Sequence, residues 1–372
     1  MRWSCKTLRY GISIGLTALS LAGCDDDLRW DDWQTSALSI SANGTERTDQ
    51  PVTIAGTFPD PLHVVEIGAS GEPVDADVPF QVDSANELTF LMMGTTPAEG
   101  RRFYRIYPGP ATTSKITPLI SASDNSDYRG QESITIRTAA ATFHYHKRGG
   151  GFASLVDENG LDWISYNPGP GPAGQYRGLP NLIYPEGGLH PGQETCDSRL
   201  LAAGPLRVHI VSTCHDGAWR VAWDIYPSFA RMTVEKAGHP YWFLYEGTPG
   251  GELNLGSGYW AQSDGTRKTV RDDWQGRVAS PRWVYFGDNR LNRVFYLVHH
   301  EDDGTFDQFW QMEGAMTVFG FGRQFRCCAQ SLNRTPARFT IGFASSADHG
   351  TVRRVIEGAY RDLKIEKVDT RS

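Results

Sequence analysis

The chain has 372 residues, of which 40% are hydrophobic and 12% aromatic, and its formal net charge is −7 at pH 7. This apolar and aromatic content excludes a disordered chain. Lysine and arginine are scattered rather than clustered, which excludes nucleic acid as a partner. At roughly 150 residues per domain, the length predicts two domains.

The N-terminus combines three basic residues within positions 1–10, an apolar stretch over 11–22 and the segment Leu21-Ala22-Gly23-Cys24. The apolar stretch is too short for a stable transmembrane helix. The segment resembles the signal peptide and lipobox of bacterial lipoproteins. That resemblance implies removal of residues 1–23 and acylation of Cys24, for example with palmitate. An ordinary cleaved signal peptide is the alternative.

Removal of residues 1–23 deletes three basic residues and no acids, so the charge changes from −7 to −10 (−7 − 3). The aspartate-rich residues 24–34, with Trp30 and Trp33, predict a short solvated tether. An Asp directly after an acylated Cys resembles the inner-membrane retention signal of Gram-negative lipoproteins. It implies a lipid anchor in the bilayer on the periplasmic side of the inner membrane, with the outer membrane as the alternative.

Residues 35–130 contain short runs of β-forming residues separated by Gly, Pro, Asp and Asn. This pattern predicts an immunoglobulin-like β-sandwich. The polar stretch 121–131 predicts the boundary of that domain. The predicted strands are Ala37–Ala42, Pro51–Phe58, Leu62–Ile67, Glu87–Met93 and Arg102–Tyr107.

Residues 133–372 continue with longer, more aromatic β-type runs, which predict a large antiparallel β-sandwich. Val352, Ile356, Tyr360 and Leu363 share one helical face, so Thr351–Lys364 is predicted to be a helix packed on the sheets. The fold class is therefore all-β with one C-terminal helix. The candidate strands are Ser133–Thr138, Thr142–Lys147, Gly151–Asp157, Leu206–Thr213, Trp219–Tyr226, Arg231–Lys236, Tyr241–Tyr245, Arg282–Phe286, Val294–Val298, Ala315–Gly320 and Arg338–Phe343.

The segment 149–163, with the sequence GGGFASLVDENGLDW, combines a strand, a D-x-x-G turn and a returning strand. It resembles the opening hairpin of galactose-mutarotase-like supersandwich domains. The resemblance covers about fifteen residues. It implies an architecture common among carbohydrate-active proteins and assigns no activity.

The cysteines fit an oxidising compartment. Two apolar runs joined by a Gly204-Pro205 turn separate Cys196 from Cys214, so we expect a disulfide across the open end of a hairpin. The adjacent Cys327 and Cys328 allow either a vicinal bridge or two buried thiols. No spacing typical of zinc is present, and neither a metal nor another cofactor is predicted.

His144 and His146 share one strand face and could form a pair of metal ligands. No third ligand is identifiable. Stacking or core packing is therefore the favoured interpretation of these two histidines.

A Pro/Gly-rich loop, Asn167–Gly174, precedes the densest cluster of reactive side chains in the sequence. Long loops in compact β domains are commonly functional. The alternative is a loop that packs Tyr184 and Leu182 on the sandwich and leaves its polar groups solvated. The cluster spans residues 176–192, and its candidate residues are Tyr176, Arg177, Tyr184, Glu186 and His190.

Three further clusters are candidates, and for the first and the last of them aromatic core packing with solvated charges is the alternative interpretation. One contains Trp242 and Glu246. Another contains His299 and His300, of which only one can face a shared site because neighbouring residues of a strand point to opposite faces. The last places Trp310 and Glu313 before a strand and Arg323 after it.

Aromatic rings stack on sugar faces, and arginine pairs with carboxylates. These residue types favour an oligosaccharide or polysaccharide as ligand. β-Elimination from a uronate needs a cation, a base and an acid, which Arg177, His190 and Tyr176 supply. Glu246 and His300 are further catalytic candidates, while Tyr184, Glu186, Trp242, Trp310 and Glu313 are candidates for substrate binding.

Hydrolysis instead needs two carboxylates, drawn from Glu186, Glu246 and Glu313. A non-catalytic lipoprotein that binds a glycan or a protein is the third hypothesis. An enzyme requires the loop that ends at His190 to converge with Glu246, His300 or Glu313. No nucleophile elbow, P-loop or dinucleotide motif is present.

Overall fold

A computed structural model of the protein describes residues 36–58, 60–109, 117–169, 177–183, 187–325 and 329–369. Cys24, Tyr176, Tyr184, Glu186, Cys327 and Cys328 lie outside the described residues, as do the predicted signal peptide and tether. Within the described residues the chain forms 28 strands and one α-helix, and all pairings between the strands are antiparallel. The protein is therefore all-β.

The first fourteen strands are β1 (Ser36–Ser41), β2 (Arg47–Ala55), β3 (Leu62–Ile67), β4 (Pro73–Val78), β5 (Phe80–Val82), β6 (Glu87–Thr96), β7 (Arg101–Pro108), β8 (Ile120–Tyr128), β9 (Gln131–Thr138), β10 (Ala141–His146), β11 (Gly151–Asp157), β12 (Gly178–Asn181), β13 (Cys196–Ala203) and β14 (Val208–Cys214). The remaining elements are β15 (Trp219–Ile225), β16 (Phe229–Lys236), β17 (Phe243–Gly247), β18 (Gly258–Gln262), β19 (Arg267–Thr269), β20 (Trp274–Gly276), β21 (Trp283–Asp288), β22 (Val294–His299), β23 (Asp307–Met312), β24 (Met316–Phe321), β25 (Arg323–Gln324), β26 (Ala329–Gln330), β27 (Ala337–Ala344), α1 (His349–Tyr360) and β28 (Lys364–Asp369).

The N-terminal unit is a sandwich of two sheets, with strand orders β28-β1-β7-β3-β4 and β2-β6-β5. The order β2-β6-β5 corresponds to strands B, E and D of an immunoglobulin-type sandwich, and β3 and β7 correspond to C and F. Along β6, Leu88, Phe90 and Met92 alternate with their neighbours and are fully buried in the core of this unit. The sandwich was predicted from short β-forming runs separated by turn residues, and the alternation of buried residues along β6 shows how one such run packs in the core.

The large unit contains two nine-stranded sheets on either side of the main core. One has the order β20-β23-β24-β17-β12-β11-β10-β9-β8, and we call it the site sheet; the other has the order β13-β14-β15-β16-β27-β22-β21-β18-β19. The hairpin β8–β9 belongs to the site sheet, so the predicted boundary near residue 130 falls inside this hairpin. The last strand, β28, pairs with β1 of the N-terminal unit.

Cys196 and Cys214 form a disulfide between β13 and β14, which confirms the predicted pairing. The two residues are direct partners in the register of this hairpin. Register therefore brings the two sulfurs together, as the two apolar runs around Gly204-Pro205 predicted.

The helix α1 begins after Asp348, whose side chain accepts a hydrogen bond from the Thr351 amide at 2.8 Å. It ends at Tyr360, four residues before the predicted end, because the chain is extended at Arg361 and then enters β28. No helix among the described residues has the length and apolar character needed to cross a membrane.

Arg47 of β2 joins the N-terminal unit to the C-terminal end of α1. Its Nη1 donates to the carbonyls of Gly358 (2.7 Å) and Arg361 (2.8 Å), and the side chain of Arg231 donates to Ala359 (3.0 Å). Because the last carbonyls of a helix lack partners within the helix, these arginines supply the missing donors. Burial lowers the pKa of Arg47 to about 10.

We predict that Arg47→Met lowers the free energy of unfolding by about 3 kcal/mol, because buried carbonyls lose their donors. Thermal and urea unfolding of the full-length protein measure the change. The control is Arg101→Met: Arg101 is half exposed and 3.9 Å from Glu366, so we expect a change below about 0.5 kcal/mol. Equal effects of the two substitutions would contradict this role for Arg47.

Candidate functional site

The candidate site lies on the face of the site sheet that points away from the main core. Phe243 and Tyr245 of β17 point into that core. Trp242 and the alternate residues Leu244 and Glu246 therefore lie on the opposite face. Trp242 and Leu244 form a small apolar cluster there with Met316 and Val318 of β24, and Trp310 and Met312 of β23 pack against it.

His190 and Glu246 form a buried polar pair on this face. His190 Nε2 is 2.9 Å from Glu246 Oε2, and Asn181 Nδ2 donates to the same oxygen at 3.1 Å. The three residues are 3%, 6% and 3% exposed. The carboxylate of Glu246 thus orients the imidazole ring of His190, and the amide of Asn181 orients the carboxylate.

Three glycines provide the space in which His190 and Pro191 lie. A Cβ on Gly149 would lie 2.5 Å from the His190 carbonyl oxygen, and a Cβ on Gly151 would lie 2.9 Å from Pro191 Cδ. A Cβ on Gly178 would collide with the same proline ring. Part of the run Gly149-Gly150-Gly151 is therefore explained by the close approach of the His190 segment to β11 and β12.

His146 holds the segment that follows His190. The Gly192 amide donates to His146 Nδ1 at 3.2 Å, and His146 Nε2 lies 3.0 Å from the Tyr128 carbonyl oxygen. Nδ1 therefore accepts, and the proton resides on Nε2. Burial lowers the pKa of His146 to about 4, so the ring is neutral near neutral pH.

Arg323 provides a buried cation beside the pair. Its guanidinium carbon lies 5.8 Å from the ring centroid of Trp242 and 5.7 Å from that of Trp310. A Cβ at Gly320 would approach Arg323 Cβ to 3.0 Å, so this glycine lets the arginine side chain lie across β24. Burial lowers the pKa of Arg323, and the carboxylates of Glu246 and Asp273 oppose that shift.

The array can transfer protons and recognise anions. A histidine bonded to a carboxylate is a common acid–base unit, and a guanidinium between indole rings can bind a carboxylate while the rings stack on a sugar. Within the part of the chain that the structure describes, no group of three or more His, Cys, Asp or Glu side chains is arranged to hold a metal ion.

Compared with family models, curated proteins and solved structures, the chain is similar to solved structures of low sequence identity. No family model matches the chain, and no curated protein matches it. Among solved structures, the chain is similar to HI1317, with 12% sequence identity and a TM-score of 0.44. The matched region covers 62% of this chain and 98% of HI1317.

Two further similar structures are those of a candidate mutarotase, YeaD from Salmonella typhimurium, and a candidate aldose 1-epimerase from Escherichia coli K12. For YeaD the identity is 13%, the TM-score 0.43 and the coverage 62% of this chain and 96% of YeaD. For the epimerase the identity is 10%, the TM-score 0.33 and the coverage 55% and 96%. With TM-scores below 0.5, the likenesses decide neither a family nor an activity.

The structure brings together His190, Glu246, Trp242 and Trp310 from the predicted residues. Arg177 contacts the backbone instead: its guanidinium donates to the Ser165 carbonyl at 3.2 Å and to the Ala315 carbonyl at 3.3 Å. The predicted cation therefore holds two backbone segments together, whereas Arg323 lies beside both indole rings.

His300 and Glu313 do not join the pair. His300 directly follows β22 of the other nine-stranded sheet, where its Nε2 lies 2.7 Å from Thr340 Oγ1 and its ring is perpendicular to that of Tyr360. Its neighbour His299 stacks on Phe339 inside the core, so the two histidines point to opposite faces, as expected for a strand. Glu313 occupies the exposed turn between β23 and β24.

Sequence reasoning missed Asn181 altogether, because a polar residue within a strand of unknown neighbours does not reveal its partner. Arg323 was placed in a candidate cluster with Trp310 and Glu313 but was given no role in catalysis or binding. His146 was interpreted as a stacking or core residue, and its contact with the segment after His190 was not predicted.

We predict that acid weakens the fold through His146. The pKa of His146 in the folded protein, about 4, lies below the ordinary 6.5. The unfolded chain therefore binds more protons between these two values, and stability falls as the pH falls through this window, by at most about 1.4 kcal/mol per pH unit.

Urea unfolding of the full-length protein from neutral pH to pH 4 should show a shallower loss for His146→Gln than for the unchanged protein. His63→Gln, in the N-terminal unit, is the control and should keep the original slope. Equal slopes for His146→Gln and the unchanged protein would show that His146 does not contribute.

Proposed function

We propose that this protein is a carbohydrate-active enzyme in which His190 and Glu246 transfer protons, and that its reaction is β-elimination on a uronate-containing glycan. The hydrogen bond between His190 and Glu246 carries the proposal, because it joins the predicted loop to a predicted carboxylate on one face. The aromatic and cationic groups beside the pair supply the recognition that a uronate needs.

The pair can act as the base that removes the proton next to the uronate carboxylate. Glu246 stabilises the imidazolium that forms when His190 accepts this proton. Arg323 neutralises the substrate carboxylate, so that the negative charge developing in the transition state meets a fixed cation. Tyr176 remains the predicted acid for the leaving oxygen, and it lies outside the described residues.

The burial of these groups supports a functional role over a purely structural one. A buried histidine, carboxylate, amide and guanidinium each lose hydration, and apolar residues of similar volume often replace such groups without loss of stability. Clusters of this kind are concentrated at functional sites. Here they lie among Trp242, Leu244 and Val318, where an apolar surface would have been simpler to pack.

Hydrolysis is the alternative, and fewer contacts support it. It requires two carboxylates on opposite sides of the scissile bond. Glu246 is bonded to His190 and Asn181, and Glu313 occupies an exposed turn. A second carboxylate would have to come from that turn or from Glu186.

We also propose that the protein is anchored by lipid at Cys24 on the periplasmic side of the inner membrane. The signal sequence and the following aspartates support this placement. The Cys196–Cys214 disulfide supports an oxidising compartment.

The activity is tested by incubating the full-length protein with uronate-containing and neutral polysaccharides. We expect an unsaturated product that absorbs in the ultraviolet. His190→Ala and Glu246→Gln should each slow its formation roughly 100- to 10,000-fold. Because both side chains are buried, thermal midpoints verify that each variant is folded at the assay temperature. His63→Ala is the control and should keep full activity.

Unchanged turnover in both site variants would refute the assignment. Reducing ends without ultraviolet absorbance would identify a hydrolase. Binding of the glycan without any product would identify a non-catalytic glycan-binding protein.

The anchor is tested by Cys24→Ala. We expect this variant to lose incorporation of labelled fatty acid and to leave the membrane fraction, because buried acyl chains contribute about 0.8 kcal/mol per CH₂ to membrane binding. Undiminished labelling and membrane partition would show that the anchor lies elsewhere.

A further inference from the structure

The outer face of the site sheet continues beyond Trp310 toward the edge strand β20. Gln308 and Trp310 are alternate residues of β23 and share this face, and Phe306, directly before the strand, continues the same alternation. Phe306 is 42% exposed, and the guanidinium carbon of Arg277 lies 5.8 Å from the centroid of its ring. An exposed aromatic ring with an exposed arginine beside it is suited to an acidic sugar.

Gln308 lies between these two aromatic residues and has an unusual environment. It is 6% exposed, and its Oε1 accepts no hydrogen bond from any described residue. A buried acceptor without a donor is destabilising, because it has lost its hydrogen bonds to water. Gln308 is opposite Gly320 in the β23–β24 register, and Arg323 lies across that glycine. A hydroxyl group of a ligand on this face would supply the missing donor.

These groups follow one another across the sheet. The strand order is β20-β23-β24-β17-β12. Arg277 directly follows β20, Phe306 directly precedes β23 with its Gln308 and Trp310, and Arg323 of β25 lies over Gly320 of β24; Glu246 and Asn181 belong to β17 and β12. Four strand spacings of about 4.8 Å give a track of about 19 Å. That length exceeds one sugar ring and suits several linked rings.

We propose that this face binds a polymeric acidic glycan across the strands, with Phe306 and Arg277 forming a subsite far from the His190–Glu246 pair. The position of the reacting bond rests on the proposed function, whereas binding along the track does not. In this arrangement the ring of Phe306 stacks on a sugar, Arg277 pairs with its carboxylate, and Gln308 accepts a hydrogen bond from a hydroxyl group.

The test is calorimetric titration of the full-length protein with disaccharides and hexasaccharides of pectate and alginate. We expect tighter binding of an acidic hexasaccharide than of its disaccharide or of a neutral hexasaccharide. Phe306→Ala and Arg277→Ala should each weaken hexasaccharide binding about tenfold and leave disaccharide binding unchanged. In a cleavage assay, the same variants should raise KM for the polymer with kcat unchanged.

The controls are Leu201→Ala and Arg199→Ala on the other nine-stranded sheet. Leu201 is 41% exposed, which matches Phe306, and Arg199 is exposed as Arg277 is. Neither control should change binding. Thermal midpoints verify that all variants are folded.

The outcomes separate the two proposals. Length-dependent binding that needs Phe306 and Arg277, without any product, would support the track and refute the acid–base chemistry. Cleavage with equal affinity for both lengths, unaffected by these substitutions, would overturn the track and leave the chemistry standing. Failure of every acidic oligosaccharide to bind would also overturn the track.

Discussion

The packing of the two nine-stranded sheets requires every strand of the site sheet to divide its side chains between the main core and the outer face. β17 shows the consequence most clearly. Phe243 and Tyr245 fill the core, so Leu244 and Glu246 must lie on the other side. A shift of one residue in register would exchange these sets and bury Glu246 among aromatic rings. The core and the candidate site therefore depend on the same alternation.

Backbone packing determines the place of His190. The three glycines at 149–151 and Gly178 let the segment after His190 approach β11 and β12 more closely than any side chain would allow. The same segment leads to Cys196, whose amide donates to the Arg148 carbonyl at 2.9 Å and whose sulfur is bonded to Cys214. The segment from His190 to Cys196 is thus held by close backbone contacts at one end and by the disulfide at the other, which limits the conformational entropy that His190 would lose on adopting a reactive geometry.

The N-terminal sandwich is coupled to the large unit by buried polar contacts as well as by strand pairing. Arg207 is 3% exposed and forms ion pairs with Asp83 and Asp224. Gln81 accepts from the Leu206 and Arg207 amides at 2.9 Å each. These contacts complement those of Arg47 at the end of α1. Loss of one partner would leave a buried charge without compensation.

The sequence by itself determined the all-β class, the position of the helix and the disulfide, since alternation, helical periodicity and hairpin register are local patterns. It also identified His190, Glu246, Trp242 and Trp310 as candidates by residue type. Only the tertiary structure decided that His190 meets Glu246, 56 positions away, that Arg323 rather than Arg177 accompanies the indole rings, and that His300 lies on the other sheet. The physical reason is strand order: β12 lies beside β17, and β17 lies beside β24. Such pairings between distant segments arise from how the whole sheet packs, and no local pattern encodes them.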